Sequence, residues 1–150
     1  TIISARDQWV KNNPDLKIIA AHILSMSNDV DAVAQRLEAY PNLSVELGAR
    51  FGDLAMQDSD KVRIFFDKYQ DRILFGTDYG TGETEDQKSS EELLAEAKNL
   101  EERYQLLFDY LAKQDSMVLR KQQTKGLALS KTVLKKIFSK NYLKFLTRSN

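Results

Sequence analysis

Leu16-Lys17-Ile18-Ile19-Ala20-Ala21-His22 is the stretch on which the reading of this chain turns. Its apolar run stands just behind Pro14, a helix breaker, and is followed by a polar segment from Ser25 to Asp31. A run this short, apolar at successive positions and bounded by loop residues, predicts a buried strand over residues 16–21 that runs into a loop. Working outward, Val30, Val33, Ala34, Leu37 and Tyr40 recur at helical spacing until Pro41 stops them, with Asn28 or Asp29 available as N-cap. The same order then comes again. Residues 43–47 read as a strand, 48–57 as a loop, and Val62, Ile64, Phe65, Phe66 and Tyr69 as a helix capped near Ser59. Residues 70–72 turn the chain into Ile73-Leu74-Phe75-Gly76, a third apolar run that ends in Thr77-Asp78. The strand starts are about 27 to 30 residues apart, the length of a strand–helix–strand crossover, so three parallel strands are predicted.

The flanks read as helical. Residues 2–12 have the composition of a helix with no strand before it. Residues 80–88, with glycine and acidic residues, predict a loop, followed by a long helix capped by Ser89 or Ser90 that carries Leu93, Leu94, Ala97, Leu100, Tyr104, Leu107, Phe108 and Leu111. Gly126 separates it from a last helix capped by Ser130. The fold class is therefore α/β, with three βα units over residues 1–79 and a loop with two further helices over residues 80–150.

Composition narrows the chemistry. In 150 residues with 42% apolar side chains there is no cysteine, which excludes disulfides, thiolate metal clusters and a cysteine nucleophile. Carboxylates, hydroxyls, lysines and one histidine remain. No apolar run approaches the roughly 20 residues of a membrane helix. No secretory leader is visible and Thr1 stands where a Met would start a chain, so a cut or processed beginning is expected, with the cytoplasm as the default compartment. Formal charge is zero but uneven: residues 83–102 hold eight acidic and two basic side chains, and residues 113–150 hold ten basic and one acidic. A basic end can meet phosphate. Here Lys131, Lys135, Lys136, Lys140 and Lys144 alternate with Val133, Leu134, Ile137, Phe138, Tyr142 and Phe145, which is the pattern of a solvated helix face. No nucleic-acid or membrane partner is expected.

Parallel strands gather whatever follows their carboxyl ends on one rim, where α/β proteins bind ligands. His22, Arg50 and Asp78 fall there. Imidazole and carboxylate are both ligands for a divalent ion, and a carboxylate beside the ion can take a proton from bound water. Arginine suits a substrate carboxylate. Each also has a plainer reading: His22 as a hydrogen-bonded core residue, Asp78 as a turn cap, Arg50 as the partner of Asp53 or Glu46.

The chain also resembles the carboxyl-terminal part of the amidohydrolase-related family of metal-dependent TIM-barrel hydrolases. The resemblance runs through Arg6-Asp7, Asn13-Pro14, residues 16–22 ending in Ala21-His22, Tyr40-Pro41-Asn42-Leu43, Val45-Glu46 and Ala49-Arg50. It continues through residues 65–69, Asp71 to Asp78, Gly126-Leu127-Ala128-Leu129 and residues 133–141. The resemblance implies that the three runs are strands six to eight of a (β/α)8 barrel and that the chain is a partial domain. It implies that His22 contacts the metal, or its water and the substrate, and that Asp78 ligates the metal and activates water, and it leaves Arg50 a candidate substrate contact. The implied cofactor is a divalent ion, zinc by its ligand chemistry, and the implied substrate a small molecule, carboxylate-bearing or cyclic. Non-oxidative decarboxylases share the family, which gives a second implied activity. A third reading is a non-catalytic interaction module or enzyme remnant.

Two departures bear on the site. Leu24 stands where the family has a small residue, and is expected to crowd the rim. The family's first-strand His-x-His and fifth-strand ligand have no counterpart, since His22 is the only histidine. The chain alone is therefore expected to bind metal weakly or not at all and to be inactive. An open three-stranded sheet also exposes an edge and a face, which predicts weak stability, homo-oligomerisation, or helices that cover the sheet.

Overall fold

Strand β2, Leu43–Glu46, is the centre of the fold. The computed structural model describes residues 1–80 and 88–147. Strands β1 (Ile18–Ala20), β2 and β3 (Ile73–Leu74) form one parallel sheet in that order. Ile18 and Ala20 lie opposite Leu43 and Val45, while Val45 and Glu46 lie opposite Ile73 and Leu74. Side chains alternate across a sheet. Leu43, Val45 and Ile73 therefore share one face, and Ser44, Glu46 and Leu74 the other.

Helices α3 (Val30–Ala39) and α5 (Ser59–Lys68) belong to the two crossovers and bury the first face. The Asp29 carboxylate accepts from the N–H groups of Asp31 and Ala32, and Asp58 accepts from that of Lys61, so each helix starts on an acidic cap. Val33, Leu37, Val62 and Phe66 are fully buried in one core with Val45 and Ile73. Each such burial contributes about 1.5–3 kcal/mol. Helix α1 (Ile2–Asn12) buries only Val10, and an apolar groove lined by Ile3, Trp9, Ile18 and Leu24 runs between it and β1.

The amino ends of the strands are tied by side chains. Arg72 donates through Nε to the Leu43 carbonyl at 2.6 Å, and its Nη groups reach the carbonyls of Leu37, Tyr40 and Leu43. Asn42 Nδ2 donates to the carbonyls of Leu16 and Asn13 at 2.8 and 3.0 Å.

Helix α6 (Ser90–Ala112) opens on a capping box between Ser89 and Glu92 and buries only Tyr110 and Leu111. An antiparallel hairpin follows, β4 (Ser116–Leu119) with β5 (Gln122–Lys125). Helix α7 (Lys131–Lys135), capped by Ser130, passes through a π-helical turn at Lys136–Lys140 into α8 (Asn141–Leu146). This last segment follows the free edge of β3. The Phe75 N–H donates to the Ile137 carbonyl at 3.0 Å, and Asn141 Nδ2 donates to the carbonyls of Gln70 and Ile73 at 2.7 Å each. Lys17 also donates to the Thr147 carbonyl, and a cleft lined by Ser44, Asn141 and Phe145 opens beside the segment near the amino ends of the strands.

Several expectations need correction. β1 is half-buried rather than buried, because it is an edge strand. β3 stops at Leu74, since the Phe75 N–H is taken by Ile137. The predicted loop 48–57 contains α4 (Phe51–Ala55), too short for its period to be read. The cap of α5, expected near Ser59, is Asp58, and the Ser59 hydroxyl donates to the Lys125 carbonyl. The region after Ala112 holds a hairpin as well as helices. Its turn residues Arg120 and Lys121 have positive φ without the glycine or asparagine that usually marks such a turn, and β5 is polar throughout. Most of the predicted loop 80–88 lies outside the described residues. The α/β class holds, and the parallel sheet among the described residues is an open one of three strands.

Candidate functional site

Each of the three strands is followed within a few residues by left-handed backbone. His22, Ala49 and Asp78 have φ of 55°, 58° and 54°, and Ile23, Leu24 and Ser25 continue the left-handed run after β1, so that the short turn α2 (Ala21–Leu24) is wound in the unfavourable sense. Left-handed backbone costs about 1–2 kcal/mol for each residue other than glycine. Such strain persists where surrounding structure holds it, and it gathers at functional sites. Here the holding groups are visible. Ile23 and Leu24 are buried in the core, and Arg6, paired with Asp7 at 2.8 Å, donates to the Leu24 carbonyl. Arg36 grips the same Asp7 at 3.2 Å. Leu24 therefore fills the core instead of crowding the rim.

The turn directs His22 across the strand ends. Its Nδ1 lies 2.9 Å from the Gly48 carbonyl, which can only accept, so Nδ1 carries the proton and a neutral ring keeps its lone pair on Nε2. Nε2 lies 3.9 Å from Asp78 Oδ1. The two side chains are 31% and 52% exposed, open to a ligand from solvent. The residues that follow the first and third strands thus meet on one rim.

Arg50 is not drawn into this pair. Its Nη1 lies 3.9 Å from Asp53, which also accepts from the Ser27 hydroxyl, and its buried Nε has no partner among the described residues.

Glu46, which the sequence reading names only as a partner for Arg50 and not as a site residue, lies at the centre. It faces away from the core on β2, accepts from the Gly48 N–H at 2.6 Å through Oε1, and approaches the His22 N–H at 3.4 Å through Oε2. A Cβ at Gly76 would stand 1.5 Å from Oε1, so glycine is what lets the carboxylate lie against β3. The signal was present in the alternation of Leu43, Val45 and Leu47 with Ser44 and Glu46, which puts a charge on the second face of a central strand. Tyr142 donates to the Phe75 carbonyl at 2.7 Å, and its phenol pKa is raised, first by burial and then by the Glu46 charge.

The donor set can be tested against a metal. In a tetrahedral zinc site with bonds near 2.0–2.2 Å, ligand atoms stand roughly 3.3–3.5 Å apart. The His22–Asp78 separation needs only a few tenths of an ångström to match, and a ring nitrogen fixed by a carbonyl on its far side is the usual support of a metal-binding histidine. The pair fits two corners of such a site. Among the described residues no group of three or more His, Asp or Glu side chains could hold an ion.

A family model described as amidohydrolase matches residues 1–148. Neither the curated proteins nor the solved structures gave a significant match. No helix among the described residues is long and apolar enough to cross a membrane.

Proposed function

The chain belongs to the amidohydrolase family, and on that premise we propose that it is the carboxyl-terminal part of a metal-dependent TIM-barrel hydrolase acting on a small organic substrate. Hydrolase-type function follows from the family. The metal pair is carried by one observation: His22 Nε2, with its lone pair fixed by the Gly48 carbonyl on the other side of the ring, faces Asp78 at 3.9 Å.

His22 and Asp78 would hold the ion, zinc by their chemistry, and when bound it would polarise the substrate and make bound water acidic near neutral pH. Asp78 keeps a second carboxylate oxygen to accept the proton of that water. His22, if displaced from the ion by substrate, would stabilise the oxygen on which negative charge develops only once Nε2 has taken up a proton, because its Nδ1–H is spent on the Gly48 carbonyl. Arg50 would receive a substrate carboxylate only by leaving Asp53, a movement that would also bring out its buried Nε donor. With two ligands in place of four, this chain alone binds zinc weakly and does not turn over substrate.

Calorimetry on the chain tests the pair. Weak zinc binding that is lost in Asp78→Ala is expected. Tight one-to-one binding, or weak binding unchanged by the substitution, would contradict the assignment.

A further inference from the structure

We propose that Glu46 is a positioning residue for the His22–Asp78 pair, acting through Gly48. The inference rests on the metal reading above but assigns a residue that the reading does not need. Glu46 touches all three strand ends: the His22 N–H after β1, the Gly48 N–H after β2, and the bare Cα of Gly76 after β3. Its 2.6 Å bond to Gly48 is the shorter of the two and involves the residue whose carbonyl takes the His22 Nδ1 proton. A Cβ on Gly48 would stand 2.6 Å from the same Glu46 oxygen and 3.1 Å from Asp78 Cβ, so Gly48 is wedged between the two carboxylate side chains.

The carboxylate thus fixes the Gly48 turn, the turn fixes the carbonyl, and the carbonyl fixes which ring nitrogen is open. Beyond Gly48 the chain enters the left-handed Ala49, a backbone that relaxes if the bond to Glu46 is lost. Outer partners of metal-binding histidines act in this way, and their loss typically lowers metal affinity about 10- to 100-fold.

Because His22 is the only histidine, its ring nitrogens can be read without ambiguity in a long-range proton–nitrogen spectrum at alkaline pH. In Glu46→Ala the single Nδ1–H tautomer is expected to become a mixture, and zinc affinity to fall about 10-fold or more. Glu46→Gln, which keeps an acceptor for the Gly48 N–H, should keep the Nδ1–H form. Gly76→Ala supplies an independent route, since it displaces the carboxylate without removing it, and should also mix the tautomers. It decides the matter if Glu46→Ala does not fold. A ring that stays wholly Nδ1–H in folded Glu46→Ala or Gly76→Ala would overturn the inference and leave the metal reading standing. A wild-type ring already in the Nε2–H form would remove both.

Discussion

At the amino ends of the strands, Arg72, Asn42 and Asn141 spend their donors on backbone carbonyls, binding the turns before β2 and β3 to their neighbours. At the carboxyl ends, His22, Ala49 and Asp78 carry left-handed backbone, and His22 and Asp78 leave polar atoms open to solvent. One end spends its polar groups on stability, and the other keeps them available at a cost in strain. Barrel-type α/β enzymes divide their two faces in this way. The comparison teaches that Asp71-Arg72 and Thr77-Asp78, six residues apart on either side of one short strand, have opposite tasks.

Substitutions at the two ends should therefore separate activity from stability. The largest effect is expected at the rim: in the intact enzyme, Asp78→Ala should lower metal-dependent turnover about 1,000-fold or more while the circular dichroism spectrum is unchanged. Retained turnover would break the comparison at its functional end. Next, Arg72→Met removes a charged donor from three carbonyls, and urea unfolding should register a loss of about 3 kcal/mol. A loss below about 1 kcal/mol would mean that the amino end is not stapled as described. Asn141→Ala leaves the Gln70 and Ile73 carbonyls without their side-chain donor, for about 2 kcal/mol by the same assay. The smallest effect has the opposite sign. Asp78→Gly relieves the left-handed backbone and should raise stability by up to about 1 kcal/mol, although it removes a proposed ligand. Destabilisation there would show that the rim carries no strain.

How much of this was legible in the sequence depended on period and length. The three runs beginning at Leu16, Leu43 and Ile73 became parallel strands in that order, because alternating strand and helix signals with crossover spacing leave few other arrangements. Helices α3 and α5 carried enough apolar repeats to be read, whereas α4, with five residues, carried only one such set, Phe51, Leu54 and Ala55, too short to establish a period. The hairpin after α6 was illegible because β5 is polar and its turn uses Arg120 and Lys121. At the rim, strand-end position brought His22 and Asp78 into one place in the reading, and the structure puts them side by side. Arg50 stands near Asp53, the partner that its plainer reading names. Glu46 was passed over as a mere partner for Arg50, because its task depends on two backbone N–H groups and a glycine surface that have no signature of their own in the sequence.

The rim offers a ring nitrogen, prepared by the Gly48 carbonyl, beside the Asp78 carboxylate. The nitrogen spectrum of the single imidazole tests it most directly, recorded on the wild-type chain without and with zinc. The expected result is a protonated Nδ1 and a bare Nε2, with Nε2 the atom whose shift moves as zinc is added. A proton on Nε2 instead, or a ring indifferent to zinc, would contradict the account.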